Sequence, residues 1–149
     1  RMYFGWMMQN ALGRFHPSLE GEEWKIDKFY HFYNEWFYPA LEDHHRVEEL
    51  VFFKKVAEIV NDWPADHVVL DHKDLERNMH DVKDCEATLR AAMGDRNAMA
   101  KAVSQLKAAV EKLERETCRH LMWEETNLPL KLKESNVEEA IAHAAHAIV

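Results

Sequence analysis

From Met99 onward, Val103, Leu106, Val110, Leu113, Thr117, His120, Glu124 and Leu128 recur in nearly alternating steps of four and three residues. That rhythm is the inner seam of a long bundle helix, because an α-helix brings positions three and four apart onto one face. A second seam runs through His72, Leu75, Met79, Val82, Glu86, Leu89 and Met93. A third runs through Phe37, Leu41, His44, Glu48 and Val51, with Phe52 and Val56 alongside. Only four glycines and four prolines interrupt 149 residues, 47% of them hydrophobic, which suits long helices joined by short loops. The chain therefore predicts a single all-α domain, since its length supports one substantial core and makes two unfavourable.

Breakers divide the chain into four long helical stretches and a tail. The first spans roughly Tyr3 to Phe15 and stops at His16-Pro17, because proline disfavours helical backbone in the residue before it. The second, Glu22 to Val60, contains Pro39, which is expected to kink or divide it. The third occupies about Ala65 to Met93, with Asp66 as a candidate cap and Gly94 as its left-handed terminator. The fourth begins at Asp95 or Asn97 and ends near Thr126, where Leu128-Pro129 interrupts it. Ser135-Asn136 can cap a short C-terminal helix, so a core bundle over about 3–130 carries a tail over about 135–149. Short connections between long helices imply an up-down-up-down four-helix bundle. The chain opens at Arg1 rather than methionine, which suggests a piece of a longer precursor.

The seams carry polar residues where a core needs apolar ones. His44/Glu48, His72/Glu76 and His120/Glu124 each place a histidine four residues ahead of a glutamate, hence on one helical face. His16/Glu20, His31/Glu35 and His45/Glu49 share that spacing, so spacing alone does not select among them. Register does: His44, Glu48, His72, His120 and Glu124 replace core residues, whereas His31 and Glu35 lie roughly opposite His44 on a straight helix. Uncompensated buried carboxylates cost several kcal/mol each, and cations or strong hydrogen bonds are what offset them. Imidazole with carboxylate suits iron, zinc or manganese. A metal-free network of His and Glu pairs is the alternative. His45, Glu49 and Glu125 sit one residue round from the seam, as outer hydrogen-bonding groups or solvated boundary positions. His67, His80, His143 and His146 read as surface or boundary residues.

HHRVEELVFF, LDHKDLE and HLMWEETNLPL together resemble the signature of hemerythrin-like, or HHE cation-binding, domains. The resemblance covers roughly Met8 to Leu130 and implies a non-haem diiron centre built from bundle helices. Carried over, it makes Glu48 and Glu124 bridging carboxylates and His44, His72 and His120 terminal ligands, with Glu76 as a sixth. Asp71 precedes His72, as an acid commonly does in the family. Lys54 stands where the family usually has proline, and Pro129 falls one position early. The first stretch departs further: MQNALGR places Gln9 where a ligand histidine is usual, and His16, the nearest histidine, precedes a proline at the helix end. A neutral amide replaces imidazole poorly on ferrous iron. An altered diiron site, a single-metal site and a vestigial site all remain open.

Composition excludes other classes. A formal charge of -8 and a pI near 5.7 disfavour nucleic acid as a partner, since phosphate binding needs a basic face. No apolar run reaches the roughly 18 residues of a membrane span, and the sequence shows no signal-peptide pattern. Cys85 and Cys118 lack metal or redox spacing and read as reduced thiols in an intracellular compartment, the cytoplasm or an organelle whose targeting segment preceded Arg1. FYHFYNEWFY puts aromatics on every side of its helix and, with the aromatic and Met-rich start, marks either a partner surface or the seat of the first helix. Two functions remain. One is an iron-binding hemerythrin-like domain that binds dioxygen or senses oxygen or iron, without need of catalysis. The other is an assembly subunit that keeps the fold with a degenerate metal site. A ferritin-like oxidase fits less well, because only Glu42 with His45 supplies the Glu-x-x-His step that such a centre takes from two helices.

Overall fold

The computed structural model describes residues 22–60 and 63–135. Among them every regular element is helical: α1 (Trp24–Phe32), a π-turn over Tyr33–Phe37, α2 (Tyr38–Val47), a second π-turn over Glu48–Phe52, α3 (Phe53–Ile59), α4 (Ala65–Ala91) and α5 (Arg96–Glu134). The residues joining α1 to α3 all keep right-handed helical dihedrals, so these five segments form one continuous rod. Three long helices result. Tyr30 faces Val82 and Tyr33 faces Met79, so the rod and α4 run antiparallel. Asp81 meets Lys112 while His72 meets His120, so α4 and α5 are antiparallel as well. The fourth bundle helix and the C-terminal helix expected from sequence, with Gln9, His16, His143 and His146, lie outside the described residues.

Local chemistry sets the ends. Gly94, at φ 84°, takes the left-handed turn between α4 and α5. Asp95 caps α5, accepting from the backbone N–H of Asn97 at 2.9 Å and of Ala98 at 3.0 Å. Helix α4 starts at Ala65 with Pro64 in the cap position, ahead of the expected Asp66. Pro129 does not end α5, which continues to Glu134. An interior proline costs about 3 kcal/mol, but Leu128 and Leu132, on either side of it, pack against buried Phe53, Val56, Val60, Trp63 and Val68. That burial holds both flanks of the proline in helix.

The first rod corrects the sequence register. Pro39 neither divides nor stops it, because the turn ahead is π-helical: the Tyr38 N–H bonds back to the Tyr33 carbonyl, five residues away. The second π-turn closes the same way, from the Phe53 N–H to the Glu48 carbonyl. Each π-turn takes up one extra residue and so rotates the helix beyond it. The buried stripe therefore reads Phe37, Leu41, His45, Phe53, Val56 and Val60, while Val51 and Phe52, expected inside, are exposed. Helices α4 and α5 contain no such turn. Their seams stand as read, apart from Glu86, Thr117 and Leu128, which are half-buried, and Met93, which lies exposed beyond the end of α4.

Two apolar clusters result, with a polar layer between them. The larger joins Ile26 to Leu41 of the rod with Leu75 to Ala92 and Met99 to Leu113. The smaller joins Phe53 to Trp63 with Val68, Trp123, Leu128 and Leu132. Of the aromatics in FYHFYNEWFY, Phe29, Tyr30, Tyr33 and Phe37 enter the larger core, Phe32 and Tyr38 pack at its edge, and Trp36 stays 66% exposed. Cys85 and Cys118 are free thiols.

Candidate metal centre

At one height on the three helices, between the two apolar clusters, the chain places His45 and Glu48 from the rod, His72 from α4, and His120 and Glu124 from α5. His45, His72, His120 and Glu124 are buried, and Glu48 is half-buried. One ligand atom from each of Glu48, His72, His120 and Glu124 falls within 4.8 Å of all the others, and His45 groups with His72 and His120 on the same criterion. The His72 and His120 Nε2 atoms are 3.1 Å apart, His120 Nε2 is 3.3 Å from Glu124 Oε1, and His72 Nε2 is 3.5 Å from Glu48 Oε2. Two ligand atoms about 2.1 Å from one ion and about 90–110° apart are separated by about 3.0–3.4 Å. These distances are close to the edges of a coordination polyhedron, so this His/Glu group could hold a metal ion.

Carboxylates outside the layer face both rings, with a hydrogen bond to His72 and a longer electrostatic contact to His120. His72 Nδ1 is 2.9 Å from Glu49 Oε1, and since a carboxylate only accepts, Nδ1 carries the proton and Nε2 turns a lone pair inward. His120 Nδ1 faces Asp71 Oδ2 at 3.9 Å, and Asp71 is in turn held by Arg119 at 3.4 Å. The Asp71 charge favours a proton on His120 Nδ1 as well. With the proton on Nδ1 in both rings, two Nε2 lone pairs confront each other across 3.1 Å, whereas a His120 protonated at Nε2 donates to His72 Nε2. The first arrangement is repulsive unless a cation lies between the nitrogens, and the second is an ordinary hydrogen bond. The His45 ring stacks on His72 with centroids 4.1 Å apart, and its buried Nε2 has no hydrogen-bond partner.

Electrostatics agree. Burial pushes His45 down to about 3 and His120 down to about 4, helped by the neighbouring His72 in both cases. His72 is lowered by burial too, against the opposing pull of Glu49. Neutral imidazoles are the form that ligates metal. Glu48 is pushed up to about 8 by burial, then by the charges of Glu124 and Glu49. A buried and a half-buried carboxylate close to each other penalise charge, and a bound cation would reverse that penalty.

The remaining candidates stand apart from this group. His44 is half-exposed and lowered by burial and by His72; its Nε2 lies 3.4 Å from Glu48 Oε1, on the outer side of that carboxylate. Glu76 is exposed and lines a cleft beside the layer. Sequence periodicity leaves His45 and Glu49 unassigned, although a signal for them existed. Phe37, Leu41, His45, Glu49 and Phe53 recur every four residues, the spacing of a rod widened by π-turns. His31 and Glu35 are exposed, as their register requires.

No helix among the described residues is long and apolar enough to cross a membrane. No family model, no curated protein and no solved structure matches this chain.

Proposed function

We propose that this chain is a hemerythrin-like metal-binding domain in which His72, His120, Glu48 and Glu124, with His45 as a fifth donor, hold one iron ion, and that it binds dioxygen or senses oxygen or iron rather than turning over a substrate. The observation that carries this reading is the 3.1 Å approach of two imidazole nitrogens whose opposite nitrogens face carboxylates. Nitrogen and carboxylate donors of intermediate hardness suit iron, zinc and manganese, and the resemblance of the motifs favours iron. Iron would supply the electron exchange with dioxygen that no side chain here offers. The protein's own contribution is orientation by Glu49 and Asp71 and the apolar clusters above and below the layer, which leave it open at its side.

One observation favours a second ion. Glu48 turns Oε1 toward His44 and Oε2 toward His72, at 3.4 and 3.5 Å, the placement of a carboxylate between two metals. An assembly role draws on Trp36, Val47, Leu50 and Val51, all exposed along the rod. Anaerobic ferrous loading, desalting and metal analysis, followed by optical spectra on exposure to air, test the proposal. One iron per chain with an air-dependent spectral change supports the single-ion site, and two support the second ion. Iron retention no higher than in a His72→Ala/His120→Ala variant overturns the reading. Retained iron with no air-dependent change leaves a metal site without the dioxygen role.

A further inference from the structure

Beside the polar layer, between the rod and α4, a cleft of about 300 Å³ opens to solvent. Buried His45 and His72 line it, so it reaches the proposed ligands from outside. His45, a residue 7% exposed, has an Nε2 with no hydrogen-bond partner in the protein, free to coordinate in the tautomer that leaves it unprotonated. Three carboxylates line the cleft, those of Glu42, Glu49 and Glu76, against two cations, Arg46 and Lys73. Arg46 is turned toward Asp43, with bonds of 3.2 and 2.8 Å to its Oδ1. Lys73 is then the remaining cation of the lining, and the cleft presents a negative potential. Tyr38 on its wall reports that potential: burial, then the charges of Glu42 and Glu76, hold its phenol above the ordinary value.

We infer that this cleft is the loading route for a hydrated divalent cation, with Glu42 and Glu76 attracting the ion at the mouth and His45 as the first nitrogen to take it from water. The inference rests on the metal-binding reading above. Size agrees, since six waters of hydration occupy about 180 Å³ at their share of liquid volume, and the cleft accommodates that shell. Charge-lined clefts with low-dielectric walls concentrate counter-ions and raise their on-rates. Glu76, suggested by sequence as a ligand, thereby acquires a role at the mouth of the route. Exchange of a coordinated water for the His45 nitrogen, the water leaving through the open cleft, with Glu49 holding the ring of His72 in place, completes transfer into the layer.

Stopped-flow loading of the whole chain with cobalt(II), followed by its visible absorption, tests this. In Glu42→Gln/Glu76→Gln the on-rate is expected to fall by about tenfold at low ionic strength. The difference should vanish in about 1 M salt, where the screening length is about 3 Å. Lys73→Gln is expected to speed loading. Leu50→Trp, at an exposed wall position of the cleft, should slow loading and release alike and leave the affinity unchanged. If wild type takes up cobalt and all three variants load at its rate, the route is wrong and the site stands. If wild type takes up no metal at equilibrium, the metal-binding reading itself has failed.

Discussion

The larger apolar cluster and the polar layer occupy the same three helices a few turns apart, yet they hold the bundle together by opposite means. In the cluster, Leu106, Leu113, Leu75 and Met79 are at most 2% exposed and need only shape to fit. Its two polar groups are satisfied by backbone, since the Tyr30 hydroxyl donates to the Val82 carbonyl at 3.0 Å and the Tyr33 hydroxyl to the Met79 carbonyl at 2.8 Å. In the layer, His45, His72, His120, Glu48 and Glu124 are at least half-buried and bring their imidazole and carboxylate atoms close to one another. Burial stabilises the first region and disfavours charge in the second, a penalty that a bound cation would offset. A protein selected only for stability would fill the layer with leucine, so the layer is where function is to be sought.

Substitutions can break this contrast, and the largest effect is expected in the core. Leu106→Ala should cost about 2–5 kcal/mol by urea unfolding, by a similar amount with and without metal. A cost that depends on metal would mean the two regions are coupled. The paired change His120→Leu/Glu124→Leu should do the reverse, raising the stability of metal-free protein by about 1–4 kcal/mol. The same pair should abolish metal-induced stabilisation, which at a metal concentration a hundredfold above Kd is about 2.7 kcal/mol. A destabilised metal-free variant would show that the layer is a satisfied hydrogen-bond network.

Smaller effects sharpen the comparison. Tyr33→Phe leaves the ring in place and removes one hydroxyl, so a loss of about 1 kcal/mol at neutral pH is expected. Burial raises both Tyr30 and Tyr33 far above the ordinary phenol value. The unfolded chain therefore releases its tyrosine protons first as pH rises. The contribution of these groups is fully present below about pH 10 and is lost above it. Denaturation against pH should show that alkaline fall, and Tyr33→Phe should flatten it. Trp36→Ala, at a position 66% exposed, should change stability by less than about 0.5 kcal/mol. A larger loss would place Trp36 in an interface.

Legibility followed the regularity of the helix. His72, His120 and Glu124 could be placed from sequence because α4 and α5 keep one helical period throughout, and a residue in the seam of a regular helix has one direction to point. His45 could not be placed that way, because two π-turns rotate the rod and a period of 3.6 residues no longer carries across them. The same slip puts Val51 and Phe52 in solvent and Phe53 in the core. Likewise Pro129 reads as a stop signal locally, and packing against Trp63 and Val68 carries the helix past it.

By itself, then, the sequence determined that the chain is helical, where α4 and α5 bury their seams, and that histidines and glutamates interrupt those seams. Periodicity and composition suffice for that, since both are local properties of the chain. Only the tertiary structure decided that three helices bring these residues to one height and that His45 joins them. It alone set which nitrogen of each ring faces inward. Those outcomes depend on Glu49 lying across from His72 and on Asp71 lying across from His120, contacts between residues far apart in sequence, and no local pattern encodes them.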